Sequence, residues 1–174
     1  PAFGIPEPAL TKLKAAGPVL VDTTCGSVLV VWKNVSRYAK RGFTSVIHGK
    51  WWHEETRSTA SQAQLEPGGK YLVVLNLEDT ALVCDYIRGR GDRASFLAHF
   101  KDACSDGFDP DTDLERIGMA NQTTMLATES LKVAENVKAA MAERYGEDSV
   151  DDRFIAFDTI CSATQERQDA LLTL

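Results

Sequence analysis

What is scarce in this sequence narrows its class before any motif does. No apolar run approaches the roughly 18 residues of a membrane-spanning helix, so a helical membrane protein is not expected. No basic start followed by an apolar stretch marks a secretory signal. Four cysteines in 174 residues, widely spaced, are too few for a secreted disulfide framework and fit a reducing cytosol or organelle interior. Positive charge is in deficit: 19 Lys and Arg face 25 Asp and Glu, for a net charge of −6. That balance argues against a general nucleic-acid or anionic-membrane binder, while an anionic small molecule remains open to a pocket with local donors. There is no low-complexity segment, and no initiator methionine. With a start at "PAFGIPEP" and an end inside the helical pattern "DALLTL", the expectation is a fragment of a longer protein.

What is present is an alternation of short apolar runs with helical patterns, and 44% hydrophobic content is enough to bury a core. "ALTKLKAAG" reads as a helix closed by Gly17, and "PVLVD" as a buried strand. "GSVLVVWKNVSRYAKRG" reads as a helix, from the spacing of Val28, Val31, Trp32, Val35 and Tyr38 and the stop at Gly42. Strand "FTSVIHG", helix "HEETRSTASQAQ", strand "KYLVVLN" and helix "LEDTALVCDYIRG" follow. After the polar turn "GRGDR", "ASFLAHFKDACSDG" is expected as a helix ending at Gly107, "DPDTD" as a loop and "LERIGMA" as a strand. A helix from Leu131 to Tyr145 places Ala134, Val137, Met141 and Tyr145 on one face; strand "RFIAFD" and helix "SATQERQDALLTL" close the chain. Strands separated by helices imply βαβ units, hence an α/β fold with a mainly parallel sheet whose ligands gather at the carboxyl ends of the strands.

Three groups of polar residues fall at those ends. Cys25 and Cys161 each follow an Asp-Thr-x-Cys echo and open a helical pattern. There the helix dipole and unpaired N–H groups favour the thiolate that binds metal or reacts. Each is equally readable as a small buried hydrophobe, and the residues alone also admit a dithiol redox pair. Cys84 and Cys104, within helical patterns, read as core. In "HGKWWHEET", His48, His53, Glu54 and Glu55 could bind metal, relay protons or hydrogen-bond a hydroxyl; the bland alternative is an acid-rich helix start. The spacing is not His-Glu-x-x-His, so zinc hydrolysis is unsupported. "NQTT", Asn121 to Thr124, offers amides and hydroxyls to a ligand or merely caps a helix. A non-catalytic binding module using these groups stays open. His99, Trp32, Trp51 and Trp52 read as packing or surface residues, the last two as cover for the core. The "FDPDTDLE" loop lacks the glycine and distant glutamate of an EF-hand.

Taken in order, "VDTTC", "VIHGKWWHEETRSTAS", "VCDYI", "GFDPDTDLERIGMANQTTML" and "FIAFDTICSATQERQDAL" resemble the LytB-type 4-hydroxy-3-methylbut-2-enyl diphosphate reductases, in the plant and cyanobacterial branch. The resemblance covers essentially the whole chain, and "DTICSATQERQ" is its most specific part. It implies reductive dehydroxylation of an allylic alcohol diphosphate to isopentenyl and dimethylallyl diphosphate, the last step of the non-mevalonate isoprenoid route. It also implies a [4Fe–4S] cluster held by three cysteines, one from each of three α/β domains in a trefoil. On that resemblance Cys25 and Cys161 are two of the metal ligands, His53 binds substrate, Glu55 delivers the proton and Thr123 pairs with it. The first cysteine and the first domain's histidines are expected upstream of Pro1, and a Ser-Asn diphosphate clamp after Leu174. Residues 1–24 would end the first domain, 25–160 would be the middle one and 161–174 would start the third. A ferredoxin- or flavodoxin-like electron donor is implied, a homodimer is compatible, and the location would be bacterial cytoplasm or plastid stroma. Glu54, where many bacterial members have proline, and "GS" after Cys25, where plants commonly have Pro-Trp, depart from the pattern without touching a proposed ligand.

Overall fold

A computed structural model describes residues 1–157 and 160–172. Four parallel strands form one sheet: β1 (Thr44–His48), β2 (Tyr71–Val74), β3 (Ile117–Asn121) and β4 (Phe154–Ala156), in the spatial order β2-β1-β3-β4. The helices are α1 (Glu7–Ala15), α2 (Gly26–Lys40), α3 (Glu54–Ala63), α4 (Leu77–Ile87), α5 (Arg93–His99), α6 (Pro110–Asp113), α7 (Ala127–Tyr145), α8 (Glu147–Arg153) and α9 (Ser162–Leu172). Helices α2 and α3 pack together on one face of the sheet, and α4 and α7 on the other. The α/β class with a parallel sheet is therefore the observed architecture. Among the described residues no helix is long and apolar enough to cross a membrane.

Strands β1 and β3 are central and buried at every residue, which is why they read as apolar runs rather than as alternating ones. Helix α2 seats Val28, Val31, Val35 and Tyr38 against them, each at most 1% exposed. The Tyr38 ring lies directly over Gly118, where an added Cβ would sit 2.4 Å from ring carbons, and its hydroxyl donates to the Met119 carbonyl at 2.9 Å. That missing side chain lets α2 approach the sheet closely. Gly42, at φ +70, then turns the chain from α2 into β1.

The connections matter for function. From β1 the chain leaves through α3 to β2, and from β3 it leaves through α7 to β4, on opposite faces. Between the carboxyl ends of β1 and β3, paired at His48 and Asn121, the topology switches direction. A crevice at such a switch is where open α/β sheets hold ligands.

Several sequence expectations are corrected. "PVLVD" is not a strand: residues 18–22 are irregular, with Val19 93% and Val21 80% exposed. An apolar run becomes a strand only when another strand accepts its hydrogen bonds, and none of the four lies beside it. The helix expected to reach Gly107 stops at His99. Residues 103–105 instead serve the open edge of β2, where Val73 N–H donates to the Ala103 carbonyl at 2.7 Å and Ser105 N–H to the Tyr71 carbonyl at 3.0 Å. "DPDTD" is a single helical turn capped by Asp109, and α8 precedes the last strand without a forecast. The long helix begins at Ala127, four residues earlier than expected.

Candidate functional site

The Asp-Thr-x-Cys echo acquires a geometry. Asp22 Oδ1 accepts from both the N–H and the hydroxyl of Thr24, at 2.9 and 2.6 Å, and this turn delivers the chain to Cys25. Cys25 caps α2, and its carbonyl accepts the first helical bond from Leu29 at 3.0 Å. Cys161 stands in the same relation to α9, its carbonyl accepting from Gln165 at 3.0 Å. Asp158 and Thr159 of the second echo lie outside the described residues. The N–H of Thr164, and after it the side chain of Ser27, hold the Cys161 thiol below the ordinary cysteine range. Ser27 lies in the first turn of α2, so the two cysteine-bearing helix starts face each other. Cys25 is exposed and Cys161 half-buried, and all four cysteines are free thiols.

The histidine, glutamate and threonine complete a ring with them. Glu55, 1% exposed in the first turn of α3, accepts from the Thr123 N–H at 2.5 Å through Oε1. The Thr123 carbonyl accepts from Cys161 N–H at 3.4 Å. On the other side, Glu55 N–H donates to His53 Nδ1 at 3.2 Å, which makes His53 the cap of α3. A ring nitrogen that accepts is unprotonated, so in the neutral imidazole the proton sits on Nε2 and can be offered to a ligand. Phe3 packs edge-on against that imidazole, with centroids 5.1 Å apart, and the neighbouring Ala2 carbonyl accepts from Cys25 N–H at 2.9 Å. Contacts thus run from Cys25 through Ala2 and Phe3, His53, Glu55, Thr123 and Cys161 to Ser27 and back to the start of α2.

Gln122 braces this ring. Its Oε1 accepts from Lys50 N–H at 3.1 Å and the Thr56 hydroxyl at 3.2 Å, and its Nε2 donates to Thr124 Oγ1 at 2.8 Å. The Gln122–Thr56 link lies one residue along both chains from the Thr123–Glu55 link. Gly49 leaves room for it, since a Cβ there would meet Gln122 Cβ and Thr56 Oγ1 at 2.9 Å.

Five residues singled out in the sequence, Cys25, His53, Glu55, Thr123 and Cys161, are therefore brought together at the switch point. The Glu55–Thr123 pairing is made by the Thr123 main chain rather than its hydroxyl. The ring also includes Ser27, Phe3 and Ala2, which sequence reasoning missed. Nothing in the residues around Ser27 announces a partner near the other end of the chain. His48 does not join: it is 1% exposed, and its Nδ1 lies 2.8 Å from Ser130 Oγ on α7. Burial pushes its pKa below the usual histidine value. Cys84 is buried as expected, its thiol pushed up to about 11 by burial. Cys104 is half-buried, and it sits on the β2 edge rather than in a helix. His99 pairs with Asp79 at 2.8 Å on the surface. Trp51 and Trp52 are 42% and 50% exposed, stacked edge-to-face on each other rather than covering core.

Two thiols at helix N-termini, one with a depressed pKa, suit part of the ligand set of a thiolate-bound cluster. Among the described residues no group of three or more His, Cys, Asp or Glu could hold a metal ion by itself. Glu55 Oε2 is buried with no hydrogen-bond partner among the described residues. A buried polar atom left unpaired costs on the order of 1–3 kcal/mol, so this oxygen marks where a ligand atom would be accepted.

Residues 1–174 match the family model described as LytB protein. Among curated proteins, the 4-hydroxy-3-methylbut-2-enyl diphosphate reductase of Thermosynechococcus vestitus is 51% identical over 174 residues, and that of Synechococcus sp. RCC307 is 52% identical. The enzyme of the same name from Gloeobacter violaceus is 51% identical. Each comparison covers all of this chain but 42%, 42% and 40% of the respective relative, so the chain spans well under half their length. Among solved structures, an (E)-4-hydroxy-3-methyl-but-2-enyl diphosphate reductase described as the terminal enzyme of the non-mevalonate pathway superposes with a TM-score of 0.62. It is 24% identical, and the match covers 97% of this chain and 46% of that one. The E-1-hydroxy-2-methyl-but-2-enyl-4-diphosphate reductase of Plasmodium falciparum gives a TM-score of 0.65 at 19% identity, over 99% of this chain and 42% of that one. At these identities the two structures speak for the fold.

Proposed function

The chain belongs to the LytB protein family, and we propose that it supplies the middle portion of a 4-hydroxy-3-methylbut-2-enyl diphosphate reductase. In this reading residues 25–160 form the middle domain, flanked by the end of a first and the start of a third. Cys25 and Cys161 would hold a [4Fe–4S] cluster together with a third thiolate from the rest of the protein. When bound, that cluster supplies electrons and a Lewis-acidic iron.

The chain's own residues do the acid–base and positioning work. Expelling hydroxide from carbon is unfavourable unless the leaving oxygen is protonated as it departs. Glu55 is the donor: its Oε1 is fixed on the Thr123 N–H, leaving Oε2 to carry the proton toward the substrate hydroxyl. His53 holds its Nε2–H toward the substrate because Nδ1 is occupied by the Glu55 N–H. Gln122 keeps the loop between β1 and α3 against the end of β3, so that the glutamate does not drift. Phe3 limits water on the histidine side. Overall, two electrons and two protons convert the allylic alcohol diphosphate into the isopentenyl and dimethylallyl isomers and one water. A ferredoxin- or flavodoxin-like protein would provide the electrons.

The observation that carries this reading is the buried Glu55 with one fixed and one unpartnered oxygen beside Thr123 and Cys161. The test is turnover of the allylic diphosphate by the full-length protein and its Glu55→Gln variant, both driven by a reduced viologen. The variant is expected to lose about 10²- to 10⁴-fold in kcat with KM little changed. Wild-type kcat in Glu55→Gln would remove Glu55 from the chemistry.

A further inference from the structure

Charge is distributed unevenly along this acidic chain. Residues 23–53 contain no Asp or Glu and five cations, Lys33, Arg37, Lys40, Arg41 and Lys50. The first four ride on α2 or its C-cap, and all four are exposed. At 100° per residue, Lys33, Arg37 and Lys40 fall along the outer face, away from the buried Val31, Val35 and Tyr38. Among the described residues, Glu66 is the carboxylate that pairs with this stripe, 3.4 Å from Lys40 Nζ. Arg116 extends it past the helix, its guanidinium lying 4.2 Å over the Phe43 ring that Arg41 also covers, at 5.1 Å. Toward the other end of the same face stand Leu29 and Val30, 37% and 49% exposed, about one turn from Cys25.

We propose that the outer face of α2 is the docking surface for an acidic electron-carrier protein, with electrons entering at the Cys25 end of the helix. The inference rests on the reductase reading above and names where its reductant binds. Each turnover breaks one carbon–oxygen bond, releases the oxygen as water and consumes two electrons and two protons. A one-electron iron–sulfur carrier is oxidised once per visit and must visit twice, so its complex has to form and dissociate quickly. Small interfaces suit that, with a run of like charge that steers encounter and little apolar area. Unopposed charge of one sign raises association rates by 10- to 10³-fold. The arrangement here is of that kind: a cationic stripe for steering, and Leu29 and Val30 as a small apolar contact at the thiol end. Lys33 is about 12 Å along the helix axis from Cys25. A diphosphate held on the stripe would therefore sit away from Glu55 and Thr123, which argues against substrate capture as its role.

The test uses the full-length enzyme with its cluster, driven either by a reduced plant-type [2Fe–2S] ferredoxin or by dithionite-reduced methyl viologen. Lys33→Glu/Arg37→Glu is compared with Lys33→Gln/Arg37→Gln and with Lys132→Glu/Lys138→Glu on α7, across the sheet. At low ionic strength the reversal is expected to lower kcat/KM for ferredoxin about tenfold or more, with the deficit shrinking as salt is added. The glutamine pair should show a smaller loss in the same direction, and it carries the comparison if the reversal misfolds. Viologen-driven kcat, the KM for the diphosphate and the α7 variant should all match wild type. An unchanged KM for ferredoxin, an equal loss in the α7 variant, or a raised KM for the diphosphate under viologen would overturn the docking surface alone. Wild-type enzyme that fails to turn over even with viologen would overturn the reductase reading, and the docking surface with it.

Discussion

Glu55, Gln122 and Cys161 show how single side chains acquire their partners from where the backbone puts them. Gln122 offers one oxygen to two donors and its amide to a third partner, all in a nearly closed environment where it is 4% exposed. Gln122→Ala leaves Lys50 N–H and the Thr56 hydroxyl without that acceptor, and should cost on the order of 2 kcal/mol or more. Gln122→Glu keeps an acceptor but loses the donor to Thr124 and buries a carboxylate, so it should not recover the loss. Chemical denaturation midpoints of the two variants decide the matter, and an alanine variant as stable as wild type would refute the bracing role. Cys161 and Cys84 form a natural pair for a pH test. Hydrogen bonds to the Cys161 sulfur favour the thiolate, so its iodoacetamide reaction in cluster-free protein should reach half its limiting rate at a lower pH than that of an ordinary cysteine thiol. Cys84, pushed up to about 11, should stay unreactive through that range. Peptide mapping after a short pulse reads both; equal labelling at neutral pH would contradict the assignment. Cys25, His53, Glu55, Thr123 and Cys161 were legible in the sequence through residue type, position after apolar runs and family resemblance. Ser27 and Phe3 were not, because their partners are far away in sequence and no local pattern encodes them.

The elements obey two rules that a sequence displays unequally. Buried apolar helix faces leave a periodic trace and buried strands a continuous apolar run, so α2, α4, α7 and the four strands of the sheet could be read from apolar spacing and stop signals. Helix α3, whose buried face includes Glu55, Thr56, Ser58 and Thr59, was legible only through its composition. Hydrogen bonding to a distant edge leaves none. "PVLVD" has a strand's composition but no strand beside it, and residues 103–105 have a helix's composition but serve β2. Gly118 is the most sensitive point in the packing of α2 on the sheet. Gly118→Ala would drive a methyl group into the Tyr38 ring, at 2.4 Å, in a core where that tyrosine is fully buried. A loss of about 3 kcal/mol or more in unfolding free energy is expected. An unchanged melting temperature would mean that α2 rides further from β3 than described.

At the scale of the whole molecule, the sheet's change of direction gathers the candidate residues at one end. The switch point between β1 and β3 gathers Glu55, Thr123 and the brace from Gln122, while the starts of α2 and α9 bring the two cysteines to the same rim. The chain spans about 42% of the length of its curated cyanobacterial relatives, and two thiolates are one short of the three that such a cluster takes in the proposed reading. In that reading the cluster and the substrate contacts belong to the full-length protein. The most direct test of the account is iron content and turnover of the allylic diphosphate by anaerobically reconstituted full-length protein, wild type against Cys161→Ser. About four irons per protein and turnover are expected in the wild type, with both lost in the variant. A Cys161→Ser protein that keeps its iron and its rate would contradict it.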